Sequence, residues 1–499
     1  MIFLGYFLVY VVRYNLSVHI VDIIQITKRL EDYRYNVTFL EHARANWNSR
    51  AGNLIDVINW SEKKIAHLLA AYHIGYCICF PIFHNIGDRL GPTWIVGIAG
   101  ILSGVLNILT PAAVYYSFWV LLIVRILNGF CAGAMQPSMV QVLRHWVPPI
   151  ERNHFMWAYC GITIGTCSTF LMCAAVHLYS RWPVGFHVCG AVQVSWSVAW
   201  ICVVTDCPAK HSFISKGELT YLTNTVDTVF TIKLTNSQAP WGLILKSVAF
   251  WALCILNFGY SWMIISLCLH GPLYYTMVLK YSVYNASALT ALPFLLRLVL
   301  GTIVIQTFHY YKHNMNVKRI EHIRKYFIVV SHVLPGLLVL SMWMFPPLPG
   351  PIILTTAITL TAFGMDLTLD ICYELTPTYA NSINTVIKIV GNAAGVIVAY
   401  GVGEVTHNQK YQDIPTVWKH IWCFHGVILC LSGVIFLIWG ETGLQPWNNI
   451  RSVSRPQRRI FIRPKRSVMS NISEREENDS SIAMKPIRST VTSATATPY

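Results

Sequence analysis

Apolar stretches of about twenty residues, with few charges inside them, recur along this chain. They fall near residues 2–26, 64–84, 94–114, 117–140, 155–178 and 184–205, and again near 248–270, 286–308, 326–345, 351–373, 383–403 and 420–440. At about 1.5 Å of rise per residue, each matches the roughly 30 Å of hydrocarbon in a bilayer. Hydrocarbon offers the backbone no hydrogen-bond partners, so such stretches must be helices that satisfy their own N–H and C=O groups. The chain therefore reads as an all-α membrane protein with about twelve transmembrane helices. Charged residues make up 12% of the 499, about half of what a soluble domain carries.

The apolar runs divide evenly. Residues 1–205 form one six-helix half, with a long outward loop over 27–60, and residues 248–440 form the second. Between them, 206–247 is a polar linker whose Ser215–Lys216–Gly217–Glu218 stretch reads as the start of a short surface helix. Residues 441–499 turn basic and then Ser/Thr-rich, and read as a disordered tail. The first run, Met1–Val12, lacks the basic start and small-residue cleavage site of a signal peptide and is interrupted by Arg13, so it reads as an uncleaved first span. Six spans, a linker and six spans is the organisation of a two-halved carrier.

Charge sets the orientation. The formal net charge is +15. Much of the excess lies in the loop holding Lys312, Lys318, Arg319, Arg324 and Lys325, and in the tail from Arg451 to Arg466. Basic residues flanking spans mark the cytoplasmic side, and the tail suits anionic lipid rather than nucleic acid. Both termini then face the cytoplasm, and loop 27–60 faces outward. That loop carries the sequon Asn36–Val37–Thr38, the favoured glycosylation site. Asn285 sits too near the membrane, and Asn471 and Asn478 lie on the cytoplasmic side.

The fourteen cysteines fall mostly inside apolar runs, without metal-ligand spacing, and no metal site is expected. Nucleotide-binding, zinc-protease and nucleophile-elbow motifs are absent, which leaves no ATP-driven engine and no enzyme. Intramembrane charges carry the functional signal. Arg13 lies in mid-span, where a charge costs about 2.5–3.5 kcal/mol. It either clamps an anion with its planar fork or pairs with an acid such as Asp22. Asp366, Asp370 and Glu374 are spaced to share one helical stripe and could carry protons. Lys388 either adds charge to an anion site or pairs with Glu404 or with the acids of the tenth run. His19, His67, His73 and His177 read as satisfied core residues.

Ordered motifs then match a known family. Asn85–Ile86–Gly87–Asp88–Arg89–Leu90–Gly91 resembles the loop signature of the major facilitator superfamily. Arg13–Tyr14–Asn15–Leu16–Ser17–Val18 is similar to the opening of its anion/cation symporter branch, which includes sialin, the vesicular glutamate transporters and the type I sodium–phosphate cotransporters. Arg125–Ile126–Leu127–Asn128–Gly129 with Pro137, Trp146–Val147–Pro148–Pro149–Ile150–Glu151–Arg152, Trp182–Pro183 with Phe186, Ala291–Leu292–Pro293–Phe294, Pro377–Thr378–Tyr379–Ala380 and Glu441–Thr442–Gly443–Leu444–Gln445–Pro446–Trp447 extend the match over nearly the whole membrane part. The resemblance implies an alternating-access carrier of anions, monomeric and without a bound cofactor. Arg13 and Arg125 would line the cavity, Asp88 and Arg89 would form a conformational latch, and Glu374 would stand at a family acid.

Departures qualify the match. His84 and Thr93 replace the loop's leading glycine and trailing basic residue, which would weaken the latch. Ala132 replaces the glutamate associated with proton coupling in a family Gly-x-Gly-Glu-Gly motif and cannot titrate. Tyr260 stands where the glutamate-transporting members have arginine, leaving sialin-like and phosphate-like members closer. The expectation is a secondary carrier of organic anions or inorganic phosphate, driven by Na+ or H+, with Arg13, Arg125 and Lys388 binding the substrate and Asp370 or Glu374 coupling it. The alternatives are a transport-inactive receptor or scaffold, and an uncoupled facilitator. No acidic dileucine sorting signal is evident, which weighs toward the plasma membrane over a lysosomal or vesicular one.

Overall fold

The computed structural model describes residues 1–39, 60–147, 157–211, 213–223, 239–312, 315, 317–346, 348–365, 367–407 and 414–449. Among the described residues there are twelve helices long and apolar enough to cross a membrane. Spans 1 to 6 are Ile2–Ile24, Glu62–Gly87, Pro92–Tyr116, Phe118–Trp146, Trp157–Tyr179 and Trp182–Val203. Spans 7 to 12 are Val248–Met277, Val283–Phe308, Arg319–Trp343, Gly350–Leu375, Ser382–Thr406 and Ile414–Trp439. All twelve coincide with the apolar runs. Several helices outrun them, because a helix keeps its hydrogen-bond ladder after its side chains turn polar. The helix of span 1 continues to Phe39, into what the sequence suggested was loop. The Asn36 backbone lies on that extension, while its side chain and residues 40–59 fall outside the described part.

Each half is closed by close backbone approaches. Spans 2 and 4 pack along their length, and a Cβ added to Gly129 would run into the Tyr72 carbonyl. Gly129→Val is therefore expected to force the two helices apart and abolish monodisperse protein. Size-exclusion chromatography of a fluorescent fusion reads this directly, and a wild-type profile would show that the close approach is dispensable.

Spans 9 and 10 are broken helices. Span 9 contains a π-helical turn, Val329–Val333, just before Pro335, which has no N–H to donate into the ladder. Span 10 runs helical over Gly350–Leu360, tightens to a 3-10 turn over Thr361–Gly364, turns extended at Met365 and resumes as Leu367–Leu375. Of the expected three-acid stripe, the described residues hold Asp370 and Glu374, both on the resumed helix. Asp366 lies outside the described residues.

The linker boundary is fixed by capping. An Asp206 carboxylate oxygen accepts the Thr93 N–H at 2.9 Å, placing negative charge at the start of span 3. The Trp146 indole donates to the Thr205 carbonyl at 2.8 Å. The expected surface helix is Lys216–Leu222, with the Ser215 hydroxyl accepting the Glu218 N–H at 3.2 Å. At the other end, residues 441–449 are part of the C-terminal half rather than of a loose tail. The Gln445 N–H donates to the Leu375 carbonyl at 3.0 Å, and the Asn448 side chain accepts the Thr376 hydroxyl at 2.7 Å. These contacts satisfy groups left open where span 10 ends. The expectation of disorder from residue 450 onward lies outside the described residues.

The two halves meet along two seams, span 2 against span 11 and span 5 against span 8. The first seam runs from Lys63–Glu404 at 3.0 Å inward to the Cys77 thiol and the Ile389 carbonyl. In the second, Phe170 and Phe294 stack with ring centroids 6.2 Å apart.

A buried cationic site between the two halves

Span 1 enters the seam with Arg13, which is only 4% exposed. One Nη donates to the Asn392 side-chain oxygen of span 11 at 2.6 Å and lies 3.2 Å from His73 Nδ1 of span 2. A guanidinium can only donate, so that imidazole nitrogen is the acceptor. Four tyrosine rings surround the guanidinium. Tyr10 and Tyr14, one turn apart on span 1, stand at 5.3 and 5.2 Å, and Tyr72 and Tyr76, one turn apart on span 2, at 5.7 and 5.6 Å. Their faces supply partial negative charge without a formal anion. Asp22 does not neutralise Arg13. Its carboxylate lies 2.9 Å from His177 Nδ1 and 3.6 Å from His19 Nδ1. Two of the histidines read as core residues thus partner Asp22, and a third, His73, belongs to the site.

Arg125, 1% exposed, stands behind Arg13. Its Nη atoms donate to the carbonyls of Val12 and Arg13 at 3.4 and 3.1 Å, and its guanidinium faces Tyr72 at 5.3 Å. Two of its donors are therefore spent on backbone, so it fixes the segment that aims Arg13 and adds positive field. Asn15, from the same motif, is a packing residue. Its amide donates to Asn107, which donates on to the Phe186 carbonyl, both at 3.0 Å.

The C-terminal half contributes a residue that sequence reasoning passed over. Arg297 lies near the middle of span 8 and is 6% exposed. It donates to the Tyr260 hydroxyl of span 7 and, at 3.3 Å, to the Thr163 hydroxyl of span 5 in the opposite half. Among the described residues, none of Arg13, Arg125 and Arg297 forms an ion pair with a carboxylate, and the Nε of each lacks a hydrogen-bond partner.

Arg324 on span 9 is the contrast. It is 1% exposed and held by both Asp370 and Glu374 of span 10. The two acids singled out for coupling are thus a bridged pair outside the central site. Lys388 departs from the expectation of a buried cation. Its side chain is exposed, Glu404 is taken by Lys63, and the span 10 acids by Arg324. Asn392, one turn on along the same face of span 11, is the residue that reaches Arg13. Arg89 is exposed and forms no ion pair among the described residues. The Asp88 side chain lies outside them, so the latch is not observed.

The chain is 28% identical to human (Homo sapiens) sialin over 297 residues, which is 59% of each protein, so the match spans about three-fifths of that relative. It is 24% identical to vesicular glutamate transporter 1 of Xenopus laevis over 452 residues, covering 89% of this chain and 74% of the other. Two solved structures share the fold. One is a bacterial homologue of the human lysosomal transporter Spinster, in an inward-facing, occupied conformation (TM-score 0.60, 12% identity, 88% of this chain and 95% of that one). The other is a D-xylose–proton symporter (TM-score 0.60, 13% identity, 88% and 98%). A family model matches residues 2–402, and with twelve membrane-spanning helices in two halves around a buried site, the chain belongs to the Major Facilitator Superfamily.

Proposed function

We propose that this protein is a secondary transporter that carries an organic anion or inorganic phosphate by alternating access, coupled to Na+ or H+. One observation carries the reading. Three buried guanidiniums, Arg13, Arg125 and Arg297, have no carboxylate partner among the described residues. The bilayer penalises such charges unless a counter-ion or water reaches them, and Arg324 in the same fold has two acids. An anionic cargo supplies the missing counter-charge. The same feature argues against a transport-inactive scaffold, in which these costly charges would have no purpose. Sequence similarity to sialin and to vesicular glutamate transporters supports an anion over a neutral cargo.

Arg13 is the primary substrate contact in this proposal, and Arg125 its positioning residue. Coupling is assigned to Asp370 and Glu374. Both carboxylates meet one guanidinium, and a proton or a sodium ion taken up at either would loosen that tie. Ala132, buried in span 4, has no titratable group. Both halves of the site come from one chain, so one copy holds a complete pathway.

The test is uptake of radiolabelled phosphate, glutamate, sialic acid and urate into proteoliposomes under a sodium gradient, a proton gradient and neither. Gradient-driven accumulation of one of these anions is expected. Equilibration without accumulation would replace the coupled carrier by a facilitator. No flux of any of them through folded protein would overturn the proposal.

A further inference from the structure

The closing motif, residues 441–447, and the entry to span 7 enclose a cavity that the transport reading does not use. Its volume is about 420 Å³, and Lys246, Ser247, Val248, Glu441, Gln445 and Trp447 are among its lining residues. Small-molecule sites span about 300–1,000 Å³. Lys246 and Glu441 put opposite charges on its walls. Among the described residues, neither forms an ion pair with the other or with a third group. One Glu441 oxygen accepts the Gln445 side-chain amide at 2.9 Å. An ammonium and a carboxylate left apart in one cavity suit a ligand that carries both signs itself.

Two further groups on the same walls call for an acceptor. Span 7 begins at Val248 with no side-chain cap from Ser247, which leaves its first N–H groups and the positive end of its dipole to a ligand or water. The Trp447 indole is 6% exposed, and its N–H has no hydrogen-bond partner. An indole can only donate, and a buried donor left unpaired is costly. Donors and a lysine together fit a phosphate, but a bare phosphate would be repelled by Glu441. The same carboxylate suits a cation that has N–H groups to give it. The rim shows how such a ligand arrives. Leu243 and Val248, which also line the cavity, are 45% and 61% exposed. They stand where a membrane-spanning helix begins, at the level where hydrocarbon meets headgroups, so an occupant with acyl chains covers them.

We propose that this cavity is a lipid site, and that it takes the headgroup of a phospholipid bearing a primary ammonium, as phosphatidylethanolamine does. The phosphate is received by the start of span 7, Lys246 and the Trp447 N–H, and the ammonium by Glu441. Phosphatidylcholine has the same phosphate and the same net charge, but its quaternary nitrogen has no N–H to donate. Phosphatidylglycerol has the phosphate and no cation. The site stands apart from the buried arginines and does not depend on what the protein carries.

The experiment titrates the full-length protein in detergent with phosphatidylethanolamine, phosphatidylcholine and phosphatidylglycerol of identical chains, and reads bound lipid by native mass spectrometry. Wild type is expected to bind phosphatidylethanolamine about tenfold more tightly than either of the others, the value of one charge-assisted hydrogen bond. Glu441→Gln, whose amide oxygen can still accept from Gln445, should bring the ethanolamine-to-choline ratio close to one. Lys246→Gln and Trp447→Phe, which remove phosphate contacts, should weaken both lipids several-fold and keep the ratio. A purely structural role for Glu441 would leave the ratio unchanged, which would overturn the proposal. So would a wild type that does not distinguish the ethanolamine and choline lipids, or that prefers phosphatidylglycerol. Soluble glycerophosphoethanolamine and inorganic phosphate test the source. Displacement of the lipid by either at equal concentration would make the ligand a free phosphate compound and overturn the lipid assignment. If Trp447→Phe does not fold, Glu441→Gln decides, since it changes one exposed carboxylate. If neither folds, the wild-type ratio decides alone.

Discussion

Arg13→Gln is expected to lower anion uptake about a hundredfold while leaving the protein folded in the membrane, because truncating one partner of a desolvated charge contact costs about 2–5 kcal/mol. The guanidinium is the hub of the site. It ties span 1 to span 2 through His73 and to span 11 through Asn392, and four tyrosine faces surround it. No described carboxylate depends on it, so its removal leaves no orphaned acid. Thermal stability in detergent should hold or rise, since an unneutralised buried charge has been removed. Arg13→Lys keeps the charge but loses the fork, and is expected to fall between wild type and Arg13→Gln. Normal uptake by Arg13→Gln would eliminate Arg13 as the substrate contact. Loss of uptake together with loss of folded protein would assign it to structure.

Arg324→Met should give the opposite pattern. Here the arginine is enclosed and both carboxylates depend on it. Removing it takes from Asp370 and Glu374 the cation that they share. Breaking a buried pair this way costs about 3 kcal/mol at the lower end of the usual range, which applies because both acids are partly exposed. The expected result is a lower melting temperature in scanning fluorimetry, with little folded protein recovered. Adding Asp370→Asn and Glu374→Gln removes both carboxylate charges and should restore most of the stability without restoring coupled transport. If Arg324→Met alone proves as stable as wild type, the triad is not a structural element.

The contrast between these two arginines shows where sequence reasoning succeeded and where it stopped. Arg13 stands out because it interrupts an otherwise apolar run inside a recognisable motif. Arg297 sits in span 8 under the same physical penalty as Arg13. It lies outside the motifs that mark Arg13 and Arg125. In the sequence Tyr260 reads as the loss of a cation from span 7, whereas the structure brings the Arg297 guanidinium onto that tyrosine from span 8. A charge can be supplied to one place by a neighbouring helix, and a motif in one helix does not record that. Lys388 illustrates the reverse. A lysine in an apolar run looks buried, but Lys388 is exposed, and the contact to Arg13 is made one turn on along the same face by Asn392.

Twelve helices in two halves follow from sequence alone, because hydrocarbon forces the backbone to satisfy itself and apolar length leaves only spanning helices. The same constraint marks mid-span arginines as functional by cost. Which of those arginines lacks a counter-charge is a property of pairs of helices far apart in the chain. Arg13 meets Asn392, Arg125 is held by span 1, Arg297 crosses from one half to Thr163 in the other, and Arg324 finds Asp370 and Glu374. Helical periodicity places a residue on its own cylinder to within a turn. Only packing sets the rotation and depth at which two cylinders meet, and in a low-dielectric site that geometry determines whether a charge is neutralised at home or left for a ligand.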